Sequence, residues 1–228
     1  PTSIEEIFLN LAIFDLDNTL LDGDSDYNWG LFLVKEGLVN QKSHEASNKK
    51  FYADYNSGKL DIYEFTEFQF RFFKNNPRKF LDKLLERFID EVAESMITKK
   101  ARHLIQEHRK NGDKLLIITA TNSYITKPIG NLLGISDLIG TDLEEVNGEF
   151  NGKVKGIPSF KEGKIDRLNL WLKQEGIIFK DLEQTFFYSD SHNDLPLLRV
   201  VSNPVAANPD EILEKEASKN KWPIIFLR

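Results

Sequence analysis

A chain of 228 residues, 40% hydrophobic and 29% charged with a formal net charge of −6, has the makeup of an ordinary globular protein. It carries no cysteine, which excludes disulfides, thiolate metal sites and cysteine nucleophiles, and its acidic balance without long runs of one sign argues against a nucleic-acid surface. The opening PTSIEEIFLN lacks the basic start and apolar centre of a signal peptide, and no apolar stretch nears the roughly 20 residues that span a bilayer; a cytoplasmic protein without membrane partners is expected.

In chain order, the first predicted strand covers Leu11–Asp17 and runs into FDLDNTLLDGDSD, which packs five aspartates into residues 14–26. Residues i and i+2 of a strand share a face, about 6.6 Å apart, so Asp15 and Asp17 border one small cavity if the strand stops at Asp15. Carboxylates that close repel and resist burial, and a divalent cation such as Mg²⁺, which suits hard oxygen ligands, would offset the cost. One carboxylate can then attack an electrophile while the other moves a proton. Asp22, Asp24 and Asp26 mimic the start of a calcium loop, but Tyr27 stands where its glycine belongs and Leu33 where its glutamate belongs.

From Asp22 to about Ser95 there is no convincing buried strand, only helical text with turns at Ser57-Gly58 and Asn75-Asn76-Pro77. This stretch holds 14 of the chain's 26 aromatic residues. It reads as a helical insert over the end of the first strand, its aromatics filling a small bundle core.

Beyond it, a helix over Lys99–Asn111 precedes a strand over Lys114–Thr121, whose end carries Thr119, Thr121 and Asn122. Hydroxyls and an amide placed there can hold phosphate oxygens. A helix over Ile125–Leu133 comes next, and then a second interruption of the alternating pattern, a β-hairpin over Leu138–Lys155 that turns at Asn147-Gly148. Lys164 opens an amphipathic helix over Ile165–Gln174, stopped by Gly176. Gly163-Lys164 mimics the end of a P-loop, but Ile165 replaces its Ser/Thr. Strands over Thr185–Asp190, Asn203–Ala207 and Trp222–Leu227 complete the series, the first leading into Asp190 and Asp194. Strand and helix in alternation predict an α/β fold, a mostly parallel sheet with helices on both faces and ligands beyond the strands' carboxyl ends, where Asp15, Thr119 and Asp190 fall.

The ordered set DLDNT (15–19), IITAT (117–121), Lys164 and SDSHND (189–194) resembles the four motifs of the haloacid dehalogenase-like superfamily, in its phosphatase branch; GDSD and ND-L-P are most similar to the phosphoserine-phosphatase-like subgroup. The resemblance implies a Rossmann-like core over 1–21 and 96–228 with a helical cap over 22–95. It implies Asp15 as a nucleophile that becomes an aspartyl phosphate, and Asp17 as the acid–base residue whose carbonyl binds Mg²⁺. Thr119 and Lys164 would hold the phosphoryl group, Asp190 would bind the metal, and Asp194 would support the metal site from its rim or second shell. Asn193 would lie near phosphate or substrate, with Thr121 and Asn122 at the same strand end, and Asp24 would face a substrate ammonium or cap a helix. Phosphoester hydrolysis is favoured over dehalogenation, since a halide leaving group needs no proton from Asp17.

Gln69 stands where phosphoserine phosphatases carry a carboxylate-binding arginine, and nearby Arg71 would need a different register, so other small phosphorylated metabolites, among them histidinol phosphate and phospho-amino-alcohols, stay open beside phosphoserine. A phosphotransferase with an alcohol acceptor and a phospho-accepting signalling module are the alternatives. His44, His103 and His108 read as surface or packing residues, and His192 as a neighbour of the substrate's rim.

Overall fold

The computed structural model describes residues 9–228; residues 1–8, most of the stretch read for a leader, lie outside them. The apolar run LAIF forms a fully buried central strand, β1 (Leu11–Phe14). It pairs in parallel with β2 (Lys114–Asn122) on one side and β5 (Thr185–Ser189) on the other. Beyond β2 lie β3 (Leu138–Val146), parallel to it, and antiparallel β4 (Glu149–Lys155); beyond β5 lie β6 (Asn203–Ala207) and β7 (Ile224–Ile225), both parallel. The sheet order is therefore β4-β3-β2-β1-β5-β6-β7.

Alternation along β1 divides the core. Leu11 and Ile13 face α7 (Glu162–Gln174), α8 (Leu195–Leu198) and α9 (Glu211–Asn220), which supply Leu168, Leu172, Leu197 and Leu213. Ala12 and Phe14 face the other way, toward α5 (Lys99–Lys110) and α6 (Ser123–Leu132) with Ile105, Ile125 and Ile129. The predicted α/β fold, a mostly parallel sheet covered on both faces, is thus the one observed. No helix among the described residues is long and apolar enough to cross a membrane.

Three expectations are revised. The first strand ends at Phe14, not Asp17, because the carbonyl of Leu16 accepts from the N–H groups of Thr19, Leu20 and Leu21 and turns the chain off the sheet, with Asn18 at φ 58°. The hairpin is not an interruption, since its first strand joins the sheet beside β2. The last strand shrinks to Ile224–Ile225.

Four α-helices separate β1 from α5, α1 (Ser25–Lys35), α2 (Gln41–Asn56), α3 (Ile62–Lys74) and α4 (Arg78–Phe88), the last running on into a π-helical turn over Ile89–Ala93 and a 3₁₀ turn over Glu94–Met96. The chain leaves and returns side by side, with Leu21 bridged to Ile97 and the Asp22 N–H donating to the Met96 carbonyl at 2.8 Å. Most of the aromatic side chains here do not make a separate bundle core. Trp29 stacks on Phe73 (5.9 Å, 3°) and meets Phe88 edge-on, while Phe73 packs against Phe150 of β4. Trp29, Phe70, Phe73 and Phe88 belong to the same apolar cluster as Ala12 and Phe14. Only the end of α2 and the start of α3 are apart: Phe51, Leu60 and Phe160, with Tyr55 and Phe65, form a small cluster of their own. The reason is area: rings of this size bury best against a surface already apolar, and one face of the sheet offers it.

Candidate active site

Asp15 follows β1 directly, and its backbone N–H still donates to Tyr188 of β5, so its side chain leaves the carboxyl edge of the sheet in a fixed direction. Lys164 Nζ donates to its Oδ1 at 2.9 Å. The Thr19 hydroxyl lies 3.2 Å from both Asp15 Oδ2 and Asp190 Oδ1, and accepts from the Asp190 N–H. Lys164 reaches in from the first turn of α7, after a sharp turn with Lys161 at φ 51°. Gly163 lets that turn close, since a Cβ there would collide with the carbonyl of Pro158. Lys164 also donates to Asp194 at 2.8 Å, and the Ser189 hydroxyl to the same carboxylate at 2.6 Å.

Asp17 is held separately. Its Oδ1 accepts from the Ser25 N–H at 2.6 Å and its Oδ2 from the Thr121 hydroxyl at 2.7 Å. Thr119 Oγ1 stands 3.5 Å from the same Oδ2 and accepts from the Thr121 N–H. The register shift between Ile118 and Asn122 in β2 accompanies this arrangement, in which Thr119 and Thr121, two residues apart, both turn to Asp17.

The electrostatics are strained. Burial raises Asp15 to about 6, Lys164 pulling down and Asp194 and Asp17 pushing up. Burial and then Asp24 raise Asp17 to about 6 against the Ser25 and Thr121 hydrogen bonds. Burial, Asp15 and Asp194 hold Asp190 well above the carboxylate range. Burial opposes the charge on Lys164, but Asp15 and Asp194 outweigh it and keep the ammonium protonated above its usual value. One lysine among so many buried acids leaves a deficit of positive charge.

A cavity of about 260 Å³ collects these groups. Asp15, Asp17, Thr119, Thr121 and Lys164 line it, as do Asp24, Asp190 and Asp194. Two of the residues expected there are elsewhere. Asn122 turns its side chain back to cap α6, accepting from the Ile125 N–H at 3.0 Å, because a helix start leaves N–H groups that need an acceptor. Asn193 lies outside the lining, its Nδ2 donating to the Tyr55 carbonyl at 3.1 Å. Asp24 lines the cavity and also caps α1 through the Tyr27 N–H. Asp194 spends its carboxylate on Lys164 and Ser189. His192 is bound to Asp210 at 2.7 Å and is not part of the lining. His108 is a packing residue, buried between Asp113 and the Tyr188 hydroxyl.

Sequence reasoning missed Thr19, although it sits inside the quoted DLDNT; its distance of four from Asp15 was the available signal. It also missed the cavity's aromatic wall of Phe51, Tyr55, Phe65 and Phe160, since nothing in a run of aromatics says which rings point out of a core.

The donor set fits a hard divalent cation. Asp15 and Asp190 come within reach of one hydroxyl, every nearby donor is oxygen, and no three Asp, Glu or His side chains converge as a ready-made cage among the described residues. Two carboxylates with backbone and water oxygens suit Mg²⁺, which keeps much of its hydration shell.

The model for haloacid dehalogenase-like hydrolases matches residues 12–199. The chain belongs to that family. Over 217 residues it is 47% identical to the histidinol-phosphatase of Neisseria meningitidis serogroup C, covering 95% of this chain and 98% of that one. A phosphoserine phosphatase of Mycobacterium tuberculosis is 30% identical, with 93% of this chain and 69% of the relative covered. Among solved structures, a protein of unknown function from Bordetella pertussis Tohama I superposes with a TM-score of 0.91 at 37% identity, covering 97% of this chain and all of that one. Membership of this hydrolase family decides against the signalling-module reading.

Proposed function

We propose that this hydrolase cleaves small phosphate monoesters through an aspartyl phosphate on Asp15, with Mg²⁺ as cofactor, and that its preferred substrates carry an amine and no carboxylate, as histidinol phosphate does. The observation that carries the reading is the convergence of Asp15, Asp17, Thr119, Lys164 and Asp190 on one cavity at the carboxyl ends of β1, β2 and β5.

In this reading residues 22–95 act as the cap over a core of 1–21 and 96–228. Lys164 and Thr19 fix the two oxygens of Asp15, so the carboxylate meets phosphorus in one orientation. As the Asp15–phosphorus bond forms, the ester oxygen departs and takes a proton from Asp17. Asp17 then draws a proton from water, whose oxygen attacks phosphorus, releasing inorganic phosphate and freeing Asp15. An Asp17 carboxyl near 6 suits both directions of that transfer. Lys164 and the Thr119 hydroxyl hold phosphoryl oxygens as charge spreads over them. Asp15, Asp190 and the Asp17 carbonyl would hold Mg²⁺, which supplies further positive charge to the phosphoryl group. Asp194 positions Lys164 rather than the cation.

Substrate preference follows from what the cavity lacks. Gln69 lines it, whereas Arg71 faces a different cavity within the helices. The basic residues of the lining are Lys164, already engaged, and Arg228, held by Asn18 and near Asp22. No free cation awaits a carboxylate among the described lining residues. The name of the 47%-identical relative supports the same choice.

The test is a Mg²⁺-dependent phosphate-release screen over histidinol phosphate, phosphoserine, phosphoethanolamine, sugar phosphates and nucleotides, run beside Asp15→Asn. Release from an amine-bearing ester by the native protein alone is expected. Near-normal turnover by a folded Asp15→Asn variant would refute the nucleophile.

A further inference from the structure

We infer that Asp26 is the specificity-determining residue that reads the cationic group of the substrate, an inference that rests on the phosphatase reading above. Asp26 lies in the first turn of α1, is 5% exposed and lines the same cavity as Asp15 and Lys164. Its Oδ1 is buried with no hydrogen-bond partner among the described residues. A buried carboxyl oxygen without a donor costs free energy, and at a residue that borders the cavity a cationic ligand can recover part of that cost. Burial, and then the nearby Asp24 and Asp17, hold its carboxyl well above the usual range.

Two structural explanations fall short. The start of α1 favours a negative charge, which makes Asp26 tolerable but gives its Oδ1 no donor. The neighbouring Asp24 already has a structural task, since its side chain caps α1 at 2.8 Å from the Tyr27 N–H and its carbonyl accepts from Asn28. Asp24 commits one of its two oxygens to that cap, whereas Asp26 is the more deeply buried acid and its Oδ1 accepts nothing.

The rest of the wall agrees about the sign of the missing partner. Phe51, Tyr55, Phe65 and Phe160 border the cavity, and ring faces attract ammonium and imidazolium groups. Phe51 and Phe65 meet edge to face at 5.4 Å, and Tyr55 and Phe160 lie 6.1 Å apart, so the rings are fixed by one another. A small molecule with phosphate at Lys164 and a protonated nitrogen at Asp26 satisfies both ends. Sugar phosphates and phosphorylated diols offer no such charge.

The experiment measures kcat/KM of native protein, Asp26→Asn and Asp26→Glu on histidinol phosphate and on an uncharged aryl phosphate, with a thermal melt of each. The ratio of the two kcat/KM values should fall roughly 10–100-fold in Asp26→Asn, the size of a lost charge-assisted hydrogen bond, and mainly through KM. Asp26→Glu, which keeps the charge, should recover part of the ratio. A ratio within twofold of native in a folded Asp26→Asn variant overturns the inference, as does native hydrolysis of the aryl phosphate with none of any amine-bearing ester. Absence of hydrolysis of both compounds by the native protein would instead sink the phosphatase reading beneath it.

Discussion

The ammonium of Lys164 and the carboxylate of Asp15 meet at 2.9 Å across 149 residues of sequence, both almost wholly buried. Asp194, on the other side of the ammonium at 2.8 Å, makes the pair a triad with one excess negative charge. Such an arrangement is poor evidence for stability, because desolvation offsets most of the attraction. It is better understood as a charge held in place for a ligand that brings phosphoryl oxygens and a cation with it.

Removing the lysine tests that view. Lys164→Met should lower kcat at least about 100-fold, as loss of a preorganised electrostatic contact does. It should also cost about 3–5 kcal/mol of stability near pH 7, because two acids stay buried without their cation. Phosphate release and urea titration at pH 7 and pH 5 would check both, the stability loss being smaller at pH 5, where the acids can take up protons.

The titration of Asp15 and Asp17 sets the pH dependence of the cation-free protein. Both are raised from 3.8 to about 6, so between about pH 4 and 6 the folded chain binds protons that the unfolded chain has released. Stability contributed by these groups is present below pH 4 and is lost as pH rises through 6, the reverse of an ion-paired aspartate. In EDTA, these two groups should make the melting temperature fall between pH 4.5 and 6.5. Mg²⁺ should raise it more at pH 7 than at pH 5, since it binds the deprotonated forms. Melting curves at four pH values with and without Mg²⁺ would show it, and equal Mg²⁺ stabilisation at all four would contradict it.

Access to the cavity should depend on the far end of α2. Lys161 Nζ donates to the Gly58 carbonyl at 2.7 Å and Asn193 to the Tyr55 carbonyl, two ties between the edge of the sheet and a segment whose small apolar cluster is separate from the main core and meets the sheet domain only at Phe160 and Ala120. Most of the helical insert shares the sheet's core, so swinging it as one body about Leu21 and Ile97 would expose Trp29, Phe73 and Phe88 to water. Movement confined to 51–62 exposes far less. Lys161→Ala should therefore speed amide exchange over 55–60 and raise KM severalfold, with kcat within about twofold and global stability changed by about 1 kcal/mol or less. Hydrogen-exchange mass spectrometry beside steady-state kinetics would decide between this and a whole-cap hinge.

How much was legible in advance depends on how local each signal is. The alternation of short apolar runs with helical segments depends on neighbours two to four residues apart, so the α/β class and the boundaries of β2, β6 and α5 could be read closely. The residues that converge on the cavity sit at strand ends, and parallel strands bring their carboxyl ends to one edge of the sheet. Asp15, Thr119 and Asp190 therefore had to meet once the sheet was granted. Asn122 shows the opposite case. Its position beside Thr121 put it at the same strand end, but whether an amide faces a cavity or caps the next helix depends on a backbone turn that residue type alone does not specify. Asn193 likewise went to a carbonyl of α2, a partner 138 residues away.

By itself the sequence determined which chemistry the chain carries: acids, hydroxyls and one lysine in an order that a parallel sheet must gather, because their spacing and strand-end placement are properties of the chain. Only the tertiary structure decided which acids are free to act. Asp194 is spent on Lys164, Asp24 gives one oxygen to a helix start, and Asp26 is left with an oxygen facing no donor. Those differences arise from desolvation and from partners brought together across the fold, and neither exists until the chain has closed around them.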